Sequence, residues 1–420
     1  MGAATGVVLP FISPMLASRG FSVEEIGLLM AIASLGIVIL APAWGHLGDV
    51  VLGRSGALRL TALLATVAVA LVAGPTPLLI VGTGLVTWYI LQATFPSLLD
   101  SIVLRALADR RFDYGSFRLL QSVSFAAVAL AAGVLYDRLG YAMSGVLFAI
   151  AAAALVLTLR GIHDRPRGRA TGRASEPGES AAPVASTATL NLPAAGRPAE
   201  TAPGTSGRRW SPSFGSVSAS LRAAPSLPRV LAVIVMVSFA VLSANTFLPL
   251  RLYELGAAPP IIAASATMSA ICEVPIMLFG GRLARSLGLR GFFALGCILY
   301  AIALGTWIVA EQPLVIVASR VATGLAFGSF TVASVLAIAV VLPDSLQASG
   351  QALRQSAVSA LAVFGYLGGG LVYGTLGHAM FFLLGVASAV LAAVMAWRWL
   401  PARGSARMAE TDIVQLEPPF

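Results

Sequence analysis

Asp100, Arg118, Glu273, Arg320 and Arg354 each fall inside or beside a long run of apolar residues. A charge held in a bilayer costs several kcal/mol by most estimates, so an ionisable residue there marks a solute pathway or an ion-coupling site. Glu273 stands out, because Ile271, Cys272, Val274, Pro275 and Met277 surround it. Burial among such neighbours favours the neutral, protonated acid, which suits a group that carries a proton. A buried structural hydrogen bond is the alternative. Asp100 and Arg118 flank one predicted loop on successive helices and can meet as a charge pair, or each can snorkel to the interface. Arg320 either serves coupling or holds helices together as half of a charge pair.

Other chemistries have no residues to run on. The three histidines, His46, His163 and His378, fall in predicted loops or at helix ends, and no two have metal-ligand spacing. Cys272 and Cys297 lie in apolar runs and read as packing residues. All 27 basic residues are Arg, so a phosphate-binding loop with its lysine is excluded. No cluster of His, Asp or Cys suggests a membrane-embedded enzyme. Neither a metal nor a cofactor is expected.

The elements that must position these residues are membrane helices. Of the 420 residues 58% are hydrophobic and only 11% charged, with mean hydropathy +0.88; a soluble domain carries about 25% charged residues. Apolar runs long enough to span a bilayer predict helices over 2–17, 24–44, 57–73, 78–99, 116–136, 141–159, 229–249, 261–280, 291–310, 314–341, 352–373 and 379–400. The chain thus divides into a six-helix bundle over 1–160, a polar linker over 161–228, a second bundle over 229–400 and a tail over 401–420. The linker is rich in Pro, Gly, Ser, Thr, Ala and Arg and is expected to be disordered. Only Phe214, Val217 and Leu221 hint at a short surface helix within it. The first helix is barely long enough to span, and Pro10 and Pro14 interrupt it. No charged leader precedes it, so either its cytoplasmic end is missing or the start is assigned too late.

The net charge of +9 reports topology and not nucleic-acid binding. Arg54, Arg59, Arg105, Arg110 and Arg111 lie in alternate loops, on the same side as the linker, Arg282, Arg285, Arg290, Arg403 and Arg407. The opposite loops hold Arg19, Arg138 and Arg251. The positive-inside rule places the linker and both termini in the cytoplasm.

The two bundles are copies. Gly45-His46-Leu47-Gly48-Asp49 matches Gly281-Arg282-Leu283-Ala284-Arg285 at the same offset that relates Gly20 to Gly256. Gly133-Val134-Leu135-Tyr136 with Leu139-Gly140 matches Gly370-Leu371-Val372-Tyr373 with Leu376-Gly377. Leu9-Pro10 echoes Leu248-Pro249. Six helices per copy make the repeats parallel, the plan of transporters that rock two halves about a central site. Arg354 then falls near the counterpart of Arg118 and is a candidate for the far wall of that site.

The segment Gly45-His46-Leu47-Gly48-Asp49 with Gly53-Arg54 resembles the signature loop of the major facilitator superfamily. Its counterpart, Gly281 to Arg290, has Arg285 where that signature has Asp. Asp113-Tyr114-Gly115 with Arg118-Leu119, and Ile271-Cys272-Glu273-Val274-Pro275, resemble the group of lactose permease, nucleoside permeases and phenylpropionate permease. The resemblance implies a role in gating for Gly45, Asp49, Arg54, Gly281, Arg285 and Arg290. Glycine lets helices approach and the acid can pair across the face; a plain capped turn is the other reading. It further implies solute binding by Asp100 and Arg118, and solute and proton binding by Glu273. This sequence departs from lactose permease at the rest of the proton machinery. Tyr300, Thr323 and Ala326 replace an arginine, a histidine and a glutamate, Asn245 stands where helix 7 has acids, and Arg320 replaces a lysine. The Gly-Pro signature of antiporters is missing around Gly133.

The expected protein is an all-α membrane protein of twelve helices in two six-helix pseudo-repeats. It acts as a monomeric secondary transporter in the cytoplasmic membrane, with a small organic solute, and protons, as its partners. A receptor or lipid flippase on the same fold, and a multidrug/proton antiporter, are the alternatives.

Overall fold

The computed structural model describes residues 2–47, 51–107, 114–159, 220–343 and 346–401. Among them are twelve helical spans and no strand. They are α1 (Gly2–Ser18), α2 (Val23–His46), α3 (Arg54–Ala73), α4 (Leu78–Leu107), α5 (Tyr114–Leu139) and α6 (Tyr141–Thr158), then α7 (Leu227–Glu254). One continuous stretch, Pro259–Val309, breaks at Gly288 into α8 (259–287) and α9 (289–309). After α10 (Pro313–Val341), the stretch Gln347–Trp399 breaks at Gly377 into α11 (347–376) and α12 (378–399). Residues 160–219, most of the predicted linker, and the tail beyond 401 lie outside the described residues. Residues 220–223 form one turn of helix ahead of α7.

Local chemistry sets the ends. Ser22 and Glu25 form a reciprocal capping box at the start of α2, with bonds of 2.8 and 3.2 Å. Pro259 and Pro313 occupy the first helical position of α8 and α10, and Pro228 the second of α7, where their missing N–H costs nothing. α1 is interrupted by a 3-10 turn over Leu9–Phe11, opened by Pro10. The spans α4, α7 and α8 run one to two turns past their predicted ends, because the helix continues after the apolar run gives out. Pro249 therefore lies inside α7, and 281–285, expected as a turn, is helical.

Six glycines adopt positive φ, from 71° to 92°, and they pair across the repeat: Gly20 with Gly256, Gly53 with Gly288, and Gly140 with Gly377. Only glycine adopts this conformation without a cost of about 1–3 kcal/mol, so each pair fixes equivalent turns in both halves. Four of them turn the chain on the face away from the linker, here the distal face. Gly53 and Gly288 turn it on the linker face. Further pairs follow: Phe11 packs on Tyr136 with centroids 4.8 Å apart, and Phe247 on Tyr373 at 5.7 Å. On the linker face Arg59 donates to the Leu159 carbonyl and Arg290 to the Leu400 carbonyl. Each arginine thus pins the last helix of its own half.

Large apolar side chains such as Leu63, Leu79, Ile150, Ile302 and Leu391 are exposed. Water would not tolerate so many; lipid does, since the helices satisfy their own backbone.

Candidate functional site

The halves meet near the distal face through two helix pairs. In the first, Gly27 of α2 abuts Gly370 of α11; a Cβ on Gly27 would lie 2.6 Å from the Tyr366 carbonyl oxygen and 2.8 Å from the Gly370 Cα. In the second, Gly133 of α5 abuts α8; a Cβ there would lie 2.9 Å from the Pro259 carbonyl oxygen and 2.9 Å from the Ala263 Cβ. Gly27 and Ala263 are repeat counterparts, as are Gly133 and Gly370. Both pairs therefore use the same two positions, and small residues at each let the backbones touch. Hydrogen bonds cross between halves at Ser13, which donates to the Thr246 carbonyl at 2.7 Å, and at Thr267, which donates to Ala126 at 3.4 Å. The Tyr89 and Tyr366 hydroxyls stand 3.4 Å apart across the same divide.

Beneath this contact lies a cavity of about 320 Å³, near the lower end of the roughly 300–1,000 Å³ typical of small-molecule sites. The N-terminal half lines it with Leu9, Pro10, Ser13, Met30, Tyr89 and Phe125. The C-terminal half adds Asn245, Thr246, Pro249, Ser265, Ser269, Glu273, Tyr300, Arg320, Thr323 and Phe327, among others. Pro10, at the irregular turn of α1, and Pro249, inside α7, the echo seen in the sequence, both reach the cavity. Irregular backbone inside a membrane is stable where it borders such a cavity.

Glu273 and Arg320 line the same cavity, on α8 and α10, which pack closely. A Cβ on Gly324 would lie 2.8 Å from the Cys272 Cβ, and one on Gly328 would lie 2.8 Å from the Ile276 Cβ. Ser269 and Thr323 meet between the same helices at 3.5 Å. Arg320 is 6% exposed. Its Nε donates to the Ser265 carbonyl at 3.2 Å, and its guanidinium carbon sits 5.9 Å from the centroid of Trp307. Trp307 is held in turn by its own bond to Ser319, 2.7 Å. The Arg320 Nη1 has no hydrogen-bond partner among the described residues. Tyr300 stands within electrostatic reach of both Arg320 and Glu273.

The other residues singled out in the sequence fall elsewhere. Arg354 is buried, but its Nε donates to Gln351 at 3.0 Å, one turn back on α11, and it is not among the cavity-lining residues. Asp100 lies within α4 and Arg118 in the second turn of α5; their side chains lie outside what the structure describes. Asp49 is outside the described residues, while Gly45 lies in the last turn of α2 and Arg54 begins α3. Gly281 and Arg285 are within α8.

The neutral lining residues were missed. Ser265, Ser269 and Glu273 follow one another at four-residue intervals, a polar stripe on one face of α8, and that spacing is the signal that could have found the two serines. Tyr89 and Tyr366 offered none, because a lone tyrosine in an apolar run is ordinary.

A twelve-helix membrane protein in two parallel repeats, with a cavity of mixed apolar and polar lining between them, has the architecture of a secondary transporter and not of an enzyme. Residues 1–384 match the MFS_1-like family, and the chain belongs to it. A maltose permease from Geobacillus stearothermophilus is 30% identical over 162 residues, which are 37% of this chain and 41% of that one. The matched stretch thus spans about two-fifths of that relative. Among solved structures, the nucleoside transporter NupG is 14% identical with TM-score 0.69, covering 95% of each chain. A D-xylose-proton symporter is 14% identical with TM-score 0.64, covering 96% of this chain and 95% of its own. A bacterial homologue of the iron transporter ferroportin, in an inward-facing state, is 12% identical with TM-score 0.69, covering 95% of each chain. At these identities the structures share the fold alone.

Proposed function

We propose that this protein moves a small organic solute across the cytoplasmic membrane by alternating access, coupled to protons, with the cavity between the halves as its solute site. The observation that carries this reading is the cavity at the seam of two repeats, lined by apolar side chains with a few polar and charged ones, under a face closed by matched small residues. Such a contact can part and re-form as rigid halves rock. The arginine distribution supports a cytoplasmic linker, so the distal face would be the outer one. The bundles over 1–160 and 229–400 would be the rocking bodies, 161–228 their linker and 401–420 a tail, in a protein acting as a monomer.

Glu273 would carry the proton, with Arg320 as its coupling partner. Asp100, Arg118 and Arg354, nearer the linker face, would complete the solute path. Gly45, Asp49, Arg54, Gly281, Arg285 and Arg290 would hold that face shut in the outward-open state. The maltose permease relative and the xylose-proton symporter support a small solute and a proton as cargo.

The test is uptake by purified protein in liposomes, with an imposed proton gradient and a panel of labelled sugars, nucleosides and organic acids. Uptake of one class, abolished by a blocking residue in the cavity such as Ala266→Trp, is the expected result. Uptake that survives the block would place the path elsewhere.

A further inference from the structure

We infer that the transported solute is a small organic acid with an apolar body, and that Arg320 receives its carboxylate. This rests on the cavity being the solute site, and goes beyond it by naming the chemistry of the solute.

Ser13 donates to the Thr246 carbonyl and Thr323 to the Arg320 carbonyl, and one of the Tyr89 and Tyr366 hydroxyls can donate to the other. Arg320 is the cationic donor on the same wall. One edge of its guanidinium is fixed by Ser265 and one face by Trp307, while Nη1 is left without a partner in a residue 6% exposed. A buried cationic donor without an acceptor is costly, and an ionised acceptor satisfies it about twice as well as a neutral one. The planar fork suits a carboxylate, which it can hold through two donors. Met30, Phe125 and Leu242 line the same cavity and offer apolar surface to the body of the acid.

Charge balance then requires a second ion. Among the lining residues Glu273 and Arg320 are the charged groups, and Tyr89, Tyr300 and Tyr366 the other titratable ones. With Glu273 ionised, an incoming carboxylate would leave the cavity with a net negative charge. With Glu273 protonated, acid anion and Arg320 balance, so one anion and one proton cross together.

The experiment uses the full chain, purified in detergent, and follows its thermal unfolding with added probes. The probes are benzoate and hexanoate, each beside its uncharged amide, and maltose, xylose and uridine. The acids should stabilise the protein and the amides should not. Arg320→Gln should weaken acid binding about a hundredfold, the scale of truncating one partner of a buried charge pair, and Arg320→Lys should recover only part of it. Without ligand, Arg320→Gln should melt no lower than the unaltered chain, because it removes an uncompensated buried charge; a structural arginine would give a clear loss. If the glutamine variant does not fold, the acid-against-amide comparison on the unaltered chain decides alone. Absence of any acid response, or acid binding untouched by Arg320→Gln, overturns the inference. Sugars or uridine binding in place of acids, and lost in Ala266→Trp and Leu242→Trp, would overturn the acid and leave the cavity as the solute site. Acid binding that persists in both blocked variants would overturn the cavity reading, and this inference with it.

Discussion

Gly27 on α2 and Gly133 on α5 close the distal face against Gly370 and Ala263, and each partner is the repeat counterpart of the other pair's member. Glu273 and Arg320 have no such counterparts: in the N-terminal half Ile37 stands where Glu273 would be, and Gly84 or its neighbours where Arg320 would be. The contact between the halves keeps the symmetry of the repeat, and the cavity breaks it. Physical reasons favour both outcomes. Two halves that rock about an axis along the membrane normal need equal, reversible contacts on either side of it, and small residues supply them with little side-chain commitment. A solute has no such symmetry, so one half can hold the charges while the other supplies an apolar wall.

The sharpest way to break this comparison is to overfill both contacts. Gly27→Leu would drive a side chain into the Tyr366 carbonyl and Gly370, and Gly133→Leu would drive one into Pro259 and Ala263. Overpacking of this kind costs roughly 1–3 kcal/mol, about a fivefold to hundredfold change in the ratio of two states. Each change should prop the distal face open and abolish net transport while leaving the protein inserted and folded. Labelling by an impermeant maleimide of a cysteine at Ser265, with Cys272 and Cys297 replaced, should rise alike in both. Strong loss of transport in one variant and none in the other would show that one helix pair carries the gate and the symmetry is incidental.

A smaller but more specific effect is expected at Glu273. Glu273→Gln keeps the shape of the side chain and removes its proton exchange. Solute exchange across liposomes of equal pH should persist within a few-fold, while uphill accumulation driven by a proton gradient should vanish. Ile37→Glu, the change that would restore symmetry, should not rescue it, because no arginine faces that position from the counterpart of α10. A Glu273→Gln protein that still concentrates solute would assign proton handling to another group.

How much of this was legible in the sequence follows the same division. The twelve spans, the repeat and the paired glycines Gly20/Gly256 and Gly140/Gly377 could be read, because each depends on a local rule: apolar length, or recurrence at nearly the same offset. Glu273 and Arg320 could be read as candidates because charge in an apolar run is costly wherever it falls. What the sequence concealed was direction. Arg354 satisfies the same rule and yet turns back to Gln351. Ser269 and Tyr89 break no rule and face the cavity. The ends of α4, α7 and α8 were set too early, because an apolar run marks where lipid stops and not where the helix does. The small residues of the gate were equally hidden: Gly27 and Ala263 differ from dozens of other small residues only in what stands opposite them.

The smallest expected effect concerns the Tyr89–Tyr366 contact, a polar tie between halves that breaks the symmetry of the gate itself. Its hydroxyls are 3.4 Å apart, long for a bond between hydroxyls, so it should contribute no more than the usual 0.5–1.5 kcal/mol or so. Near the counterparts of these two residues lie Gly324, Leu325, Ala129 and Leu130, which carry no hydroxyl to form a second tie. Tyr89→Phe should therefore loosen the closed distal face about twofold to tenfold without touching the rings that line the cavity. Tyr366→Phe should do the same, and the double change should be no worse than either alone, because one contact is lost in all three. Maleimide labelling at Ser265, on the background used for the glycine variants, measures it. If the two single effects add, the hydroxyls act separately, each toward the solute or water in the cavity, and the halves are held at the distal face by the matched small residues without help from a tie.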